Sequence, residues 1–226
     1  MEKKIYKFND GIIQDLAKTD NKVYILIKYI DQVEVELEKD GFKCITNFII
    51  GQQISNKARA TIWQRFLKYY DNDITPDNLL NTDENKLRKL GISIRKINSI
   101  KELAKSINTN EINFTKLKDC DNEKIIKKLT KIKGVGKWTA EMYLIFSLGR
   151  ENVLSTKDGT LKRGIKWMYE LKELPTDEEI NGYFKKWHGK ETIITFYFWK
   201  AVEMNLLKEN FNNIEKKVNN NNKEWL

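Results

Sequence analysis

Two short stretches carry residue types that could do chemistry. The first is Lys131-Ile132-Lys133-Gly134-Val135-Gly136-Lys137-Trp138-Thr139. Two glycines one residue apart let a chain reverse through positive φ and approach a partner closely. The helix that follows begins near Lys137 or Trp138. Its first amides lack intrahelical partners and turn outward, a nest that suits a phosphate oxygen. Six lysines and no acid lie between Lys124 and Lys137, so the flanks carry the matching charge. The same pattern also describes a tight interhelical turn with a solvated basic face. The second stretch is Asp158 and the Gly159-Thr160-Leu161-Lys162-Arg163 that follows it. A carboxylate there is an N-cap or first-turn residue, met by backbone amides and the positive helix end, surroundings that suit a negative charge. Read alone it is a helix cap. Aimed at a substrate, it could stabilise developing positive charge or orient a water.

Other chemistries are narrowed by what the chain contains. There is one histidine, His188, so histidine-rich metal sites are excluded and any Ser-His-Asp or Cys-His site would have to use it. Cys44 and Cys120 are too far apart in sequence for a metal-ligand spacing and fit a reducing cytosol as free thiols. Carboxylates or lysines are left to carry an enzymatic reaction.

The elements that position these residues read as helices. In 42–70, Phe42, Ile45, Phe48, Ile49, Ile54, Ala58, Ile62 and Phe66 recur at three- and four-residue steps, with a break near Gly51. Thr75-Pro76-Asp77 opens another helix by capping logic. Residues 86–107 read as two short helices around Gly91, and 122–148, 160–172, 177–187 and 191–208 are helical. Only 23–30 and 33–37 are compatible with strands, and the first fits a buried helix equally well. The fold class is all-α. The stretch 209–226 reads as an Asn- and Lys-rich, low-complexity tail.

At 226 residues the chain can bury one core or two small lobes. The balance of 41 Lys and Arg against 32 Asp and Glu, a net +9, favours a polyanionic partner, although a lysine-rich proteome would give the same excess. No run approaches the roughly 18 apolar residues of a membrane span. Polar residues interrupt any secretory signal after Lys3 and Lys4. A location in the cytoplasm, on the nucleoid, or in a nucleus is expected, not secretion.

The run from Ile132 to Ala140, with Asp158 twenty residues beyond Trp138, resembles the signature of the helix–hairpin–helix DNA glycosylases. Three further segments resemble the 3-methyladenine DNA glycosylase II branch. They are Gly51-Gln52-Gln53-Ile54-Ser55 with Lys57-Ala58, the stretch from Leu87 to Ala104, and the stretch from Trp187 to Trp199. Together they cover residues 42–200.

This resemblance implies two helical lobes flanking a DNA-binding cleft, in a compact form without an N-terminal β domain. One lobe would comprise about 35–148, including the hairpin at 124–148, and the other 1–34 with 149–208. It implies base flipping and hydrolysis of an N-glycosidic bond, with Asp158 as the catalytic carboxylate. Trp138, Trp199 and Met142 would form the base pocket, with Gln53 as the wedge that fills the vacated stack. Lys133, Gly134, Val135, Gly136, Lys137 and Thr139 would face the DNA backbone. The position that holds a Schiff-base lysine in bifunctional relatives is Trp138, so a monofunctional enzyme is expected. Two cysteines cannot supply the four ligands of the iron–sulfur loop found in some relatives. No metal and no organic cofactor are expected, apart from a monovalent cation that hairpin carbonyls could hold. The expected partner is double-stranded DNA with damaged bases, met by a monomer.

A purine methylated at N3 or N7 is already cationic and leaves without a dedicated acid. That favours alkylated purines as substrates, with Glu141 and His188 the only alternative acids. The sequence departs from the family pattern at four places. Ser155-Thr156-Lys157 replaces a proline, Gly159 replaces a large residue, Lys190-Glu191 replaces a Trp-Arg pair, and Met142 replaces a pocket tyrosine. Two alternatives stay open: a non-catalytic lesion-binding protein, and a glycosylase of the same fold for another damaged or mispaired base.

Overall fold

The computed structural model describes residues 2–221. The chain folds as two compact units, one of Leu37–Gly149 with Glu2, the other of Lys3–Glu36 and Arg150 onward.

The first unit is built from eight helices. They are α3 (Gly41–Gly51), α4 (Asn56–Tyr69), α5 (Pro76–Leu80), α6 (Glu84–Lys89), α7 (Ile94–Asn108), α8 (Phe114–Leu117), α9 (Asn122–Leu129) and α10 (Lys137–Phe146). Side-chain oxygens start most of them: Asp40 accepts from Lys43 N, Ser55 from Ala58 N, Thr75 from Asn78 N and Asp121 from Lys124 N. Each such cap satisfies an amide that the helix itself leaves without a partner. Helices α3 and α10 supply the core, burying Phe42, Ile45, Phe48 and Ile49 from one and Ala140, Met142, Tyr143 and Leu144 from the other. Gly91, at φ +102°, reverses the chain between α6 and α7 as its sequence position suggests. Ile54 departs from the sequence reading. It is 36% exposed, because it lies in the turn between α3 and α4 and not on either helix's apolar stripe.

The second unit combines the chain's N-terminal segment with its C-terminal third. Strands β1 (Glu2–Lys7) and β2 (Gln32–Leu37) flank helices α1 (Gly11–Lys18) and α2 (Asn21–Ile30). Helices α11 (Gly159–Tyr169), α12 (Asp177–Phe184), α13 (Glu191–Glu203) and α14 (Phe211–Asn221) follow. Helix α13 is apolar nearly all round, buried from Thr192 to Phe198, as suits the central helix of a unit. Gly164 lets α11 close on it, since a Cβ there would lie 2.8 Å from the Phe198 ring.

Two features of this unit differ from the sequence reading. Residues 32–37 do form a strand, with Val33, Val35 and Leu37 buried at alternate positions, and they pair with β1, which the sequence did not suggest. The stretch from residue 209, read as a low-complexity tail and a frayed helix end, carries a helix that is packed as far as it is described: Phe211, Ile214 and Val218 are buried at helical spacing against α2. Asparagine and lysine at the intervening positions mask that stripe in composition.

Candidate functional site

The hairpin between α9 and α10 is a backbone device. Gly134 has φ +91°, a conformation open to glycine, and a Cβ there would lie 1.8 Å from the Ser99 hydroxyl oxygen on α7. Gly136 is different. It is extended at φ −85° and ψ 172°, caps α10 without any side-chain bond, and a Cβ on it would meet nothing within 4 Å. Positive φ is therefore needed at one glycine of the pair, and the second leaves bare backbone at a helix start. Val135 packs inward at 3% exposure and its amide donates to Ile132 O at 3.0 Å, so it fastens the turn. Lys124, Lys127, Lys128, Lys131, Lys133 and Lys137 are all exposed around this bare end.

Thr139 was expected to face the partner. Its side chain is 1% exposed and instead accepts a hydrogen bond from Gln52 Nε2 at 3.1 Å, because it lies on the core side of the first turn of α10. The same Gln52 amide donates to Gly134 O at 3.1 Å. Gln52 is a site residue that the sequence reading passed over in favour of its neighbour. Gln53 is exposed and held at φ +57°, an uncommon backbone state for a non-glycine residue. It is an outward-presented side chain and not a buried junction residue. Trp138 is half-buried, edge-on to Phe48 with ring centres 5.8 Å apart. Met142 is 2% exposed, so it presents almost no surface with which to line a pocket.

Asp158 is built from the other unit. It caps α11, its Oδ1 accepting from Leu161 N at 2.7 Å, and its own amide donates to Ser155 O at 3.0 Å. Trp199 on α13 donates its indole N–H to the same Oδ1 at 3.0 Å. The carboxylate is 8% exposed, and its place is set by a local cap and by a side chain 41 residues away. Trp199 was expected as a pocket face; what the structure shows is its indole N–H holding the carboxylate.

The loop leading to Asp158 is tied at both ends. Thr192 accepts from Val153 N and donates to Val153 O, both at 3.0 Å, while its amide donates to Glu151 O at 2.9 Å. Burial works to raise the Glu151 pKa, but hydrogen bonds from Lys190 and Tyr6 and the charge of Lys4 bring it below the ordinary carboxylate range. Lys190, which replaces an expected tryptophan, thus has a role in securing this loop. On the far side, Lys157 and Lys162 reach Asp177 at 2.7 and 3.0 Å, and the Lys157 bond above all holds Asp177 at about 2.

The two alternative acids lie beside charged neighbours. His188 is 95% exposed and faces Glu191 at 3.4 Å. Glu141 is buried on α10 with Lys137 at 3.7 Å. The hairpin's donor set for a cation is neutral carbonyl oxygen. Gly134 O accepts from Gln52, and an sp² oxygen has a second lone pair. Among the described residues no cluster of His, Cys, Asp and Glu could hold a metal ion, and no helix is long and apolar enough to cross a membrane.

Known proteins are similar to this chain in sequence and fold. The family model of the HhH-GPD superfamily base excision DNA repair proteins matches residues 46–190. DNA-3-methyladenine glycosylase 1 of Schizosaccharomyces pombe is 30% identical over 170 residues, 74% of this chain and 75% of that protein. The crystal structure of a DNA-3-methyladenine glycosidase from Bacillus halodurans matches with a TM-score of 0.77 at 30% identity, covering 92% of this chain and 96% of that one. The structure of the Schizosaccharomyces pombe 3-methyladenine DNA glycosylase in complex with abasic DNA matches with a TM-score of 0.81 at 28% identity, covering 86% and 97%. The family model spans the bare hairpin and the capped carboxylate alike, and the chain belongs to the HhH-GPD superfamily of base excision DNA repair proteins.

Proposed function

We propose that this chain is a monofunctional DNA glycosylase that excises alkylated purines, of the 3-methyladenine and 7-methylguanine type, from double-stranded DNA. The observation that carries the reading is Asp158, a largely buried carboxylate fixed by Leu161 N and the Trp199 indole at the head of α11. A carboxylate held this way needs no reorganisation to stabilise positive charge on a neighbouring sugar.

The division of labour follows from the residues. The bare N-terminus of α10 and the lysines around it bind backbone phosphate, with affinity that falls steeply with salt. A monovalent cation, where one binds, would rest on carbonyls of the Ile132–Gly136 turn and add positive charge beside that phosphate. The damaged nucleotide leaves the stack, and Gln53, already outward on its turn, fills the gap. The half-buried indole of Trp138 offers a face to a cationic base. As the C1′–N bond breaks, its electron pair leaves with the base, whose positive charge is thereby neutralised. Asp158 stabilises the sugar cation until a water adds to C1′ and loses a proton. The leaving group is cationic from the start, so no general acid is required. Trp138 occupies the Schiff-base lysine position, so the strand stays intact after excision.

Methylated duplex DNA incubated with the protein tests this directly. Release of 3-methyladenine or 7-methylguanine, with strand cleavage only after alkali, is expected. Asp158→Asn should bind the duplex normally and release base about 10²–10³-fold more slowly. Tight duplex binding without release from the wild type would replace this reading with that of a lesion-binding protein.

A further inference from the structure

Gln52 ends α3 and is half-buried, and its side-chain amide spans two acceptors on the hairpin, Gly134 O and Thr139 Oγ1, each at 3.1 Å. An amide NH₂ has two hydrogens, so both acceptors are served at once. They lie on either side of the start of α10, one in the turn and one in the first helical turn. The stretch from Gly136 to Trp138, where α10 starts, lies between the two clamped points. The residue after Gln52 is Gln53, exposed at φ +57°.

Helix α7 braces the same two segments. Lys96 donates to Ile50 O at 2.7 Å in the last turn of α3, and Ser99 packs so close to Gly134 that no Cβ could fit. Lys96 and Ser99 are three residues apart and share a helix face. The hairpin is thus held by a steric contact at Ser99 and a polar tether at Gln52, and the tether is adjacent in sequence to the presented Gln53.

We propose that Gln52 is a positioning residue, whose amide sets the register between the phosphate-binding hairpin and the turn that presents Gln53. The inference rests on the DNA glycosylase reading above. It makes Gln52 act through the hairpin backbone and Gln53, touching neither base nor phosphate itself. Its geometry differs from a space-filling role, because shape alone does not satisfy it. A leucine fills the volume and a glutamate fills it with an acceptor, yet neither can donate to Gly134 O.

The test uses the full chain and a duplex carrying a tetrahydrofuran abasic analogue, with dissociation constants measured by anisotropy across a salt series. Gln52→Leu and Gln52→Glu should each weaken binding about tenfold and reduce the salt slope by about one phosphate contact. Gln52→His keeps a donor of similar reach and should recover most of the loss. Thr139→Val removes one acceptor and should cost about threefold. Combined with Gln52→Leu it should add nothing, as expected for two variants that break one bond. Thermal midpoints of all variants separate positioning from general stability. A Gln52→Leu protein with wild-type affinity and salt slope overturns the inference. So does a loss that follows the thermal midpoint alone and is not recovered by histidine. Wild type that neither binds nor releases base would defeat the glycosylase reading itself. Active wild type beside an unaffected Gln52→Leu defeats only this inference.

Discussion

Helices α10 and α11 both begin at an extended residue, and their ends are finished in opposite ways. At α10 the cap is Gly136, with no side-chain bond and open space where a side chain would go. At α11 the cap is Asp158, whose carboxylate accepts from Leu161 N. A helix start carries roughly half a positive charge from its unsatisfied amides. One unit leaves that charge bare for an anion from outside, and the other occupies it with an anion of its own. A single backbone property, the positive helix start, is thus finished in two different ways. The bare end suits a phosphate, and the occupied end fixes a carboxylate that would face a cation in the proposed reaction. The fold does not demand glycine at 136, since nothing in the protein occupies the space a side chain would take.

The largest expected effect comes from emptying the occupied end of its charge while keeping its shape. Asparagine caps helices about as well as aspartate, so Asp158→Asn should keep the thermal midpoint within a few degrees and lower base release about 10²–10³-fold. Equal release by both proteins would reduce Asp158 to a cap.

Making the bare end resemble the occupied one comes next. Gly136→Asp fits the open space and can cap α10, so the fold should be as stable as before or slightly more so. Its carboxylate takes the place meant for phosphate, and duplex affinity should fall about 10²-fold at low salt. Unchanged affinity would remove this helix end from the DNA interface.

Trp199→Phe keeps an aromatic face and removes the indole N–H that reaches Asp158. Single-turnover release should slow about tenfold with little change in duplex affinity, the order expected from losing one hydrogen bond to a charged group. A loss of affinity with the rate preserved would assign Trp199 to base stacking alone.

The smallest effect concerns stability in acid. Asp20, Glu151, Asp177 and Glu179, all in the unit that carries Asp158, are held below the ordinary carboxylate range. For Asp20, burial opposes this, and hydrogen bonds from Lys186, Tyr169 and Val23 N outweigh it. Groups with depressed folded values contribute stability that is complete above their unfolded values, near pH 4. That contribution is lost as pH falls through the folded values, Asp177's being about 2. Amide exchange followed from pH 5 to pH 2 should therefore show α2 and α12 losing protection before α3 and α7. Simultaneous loss would mean that these carboxylates do not distinguish the two units.

Much of this molecule is legible along the chain. The three- and four-residue apolar steps locate the helices, and Thr75, Gly91, Gly134 and Asp158 act where their side chains or the lack of one require. These are local properties, decided within a turn or two of helix. Other features depended on partners that no local pattern names. Gln52 reaches residues 82 and 87 positions away, and Trp199 reaches back 41 to Asp158. Val33, Val35 and Leu37 alternate as a strand must, but a strand needs a neighbour, and only the folded chain brings β1 beside it. Thr139 and Met142 sit in a motif whose residue types suit a binding surface, yet packing of α10 turned both inward. The sequence by itself determined the helices, their caps, and the residue types available to a hairpin and a carboxylate. Tertiary structure decided which side chains those elements turn outward and which distant donors fix them, because burial and hydrogen bonding are settled between elements, after the local periodicity has done its part.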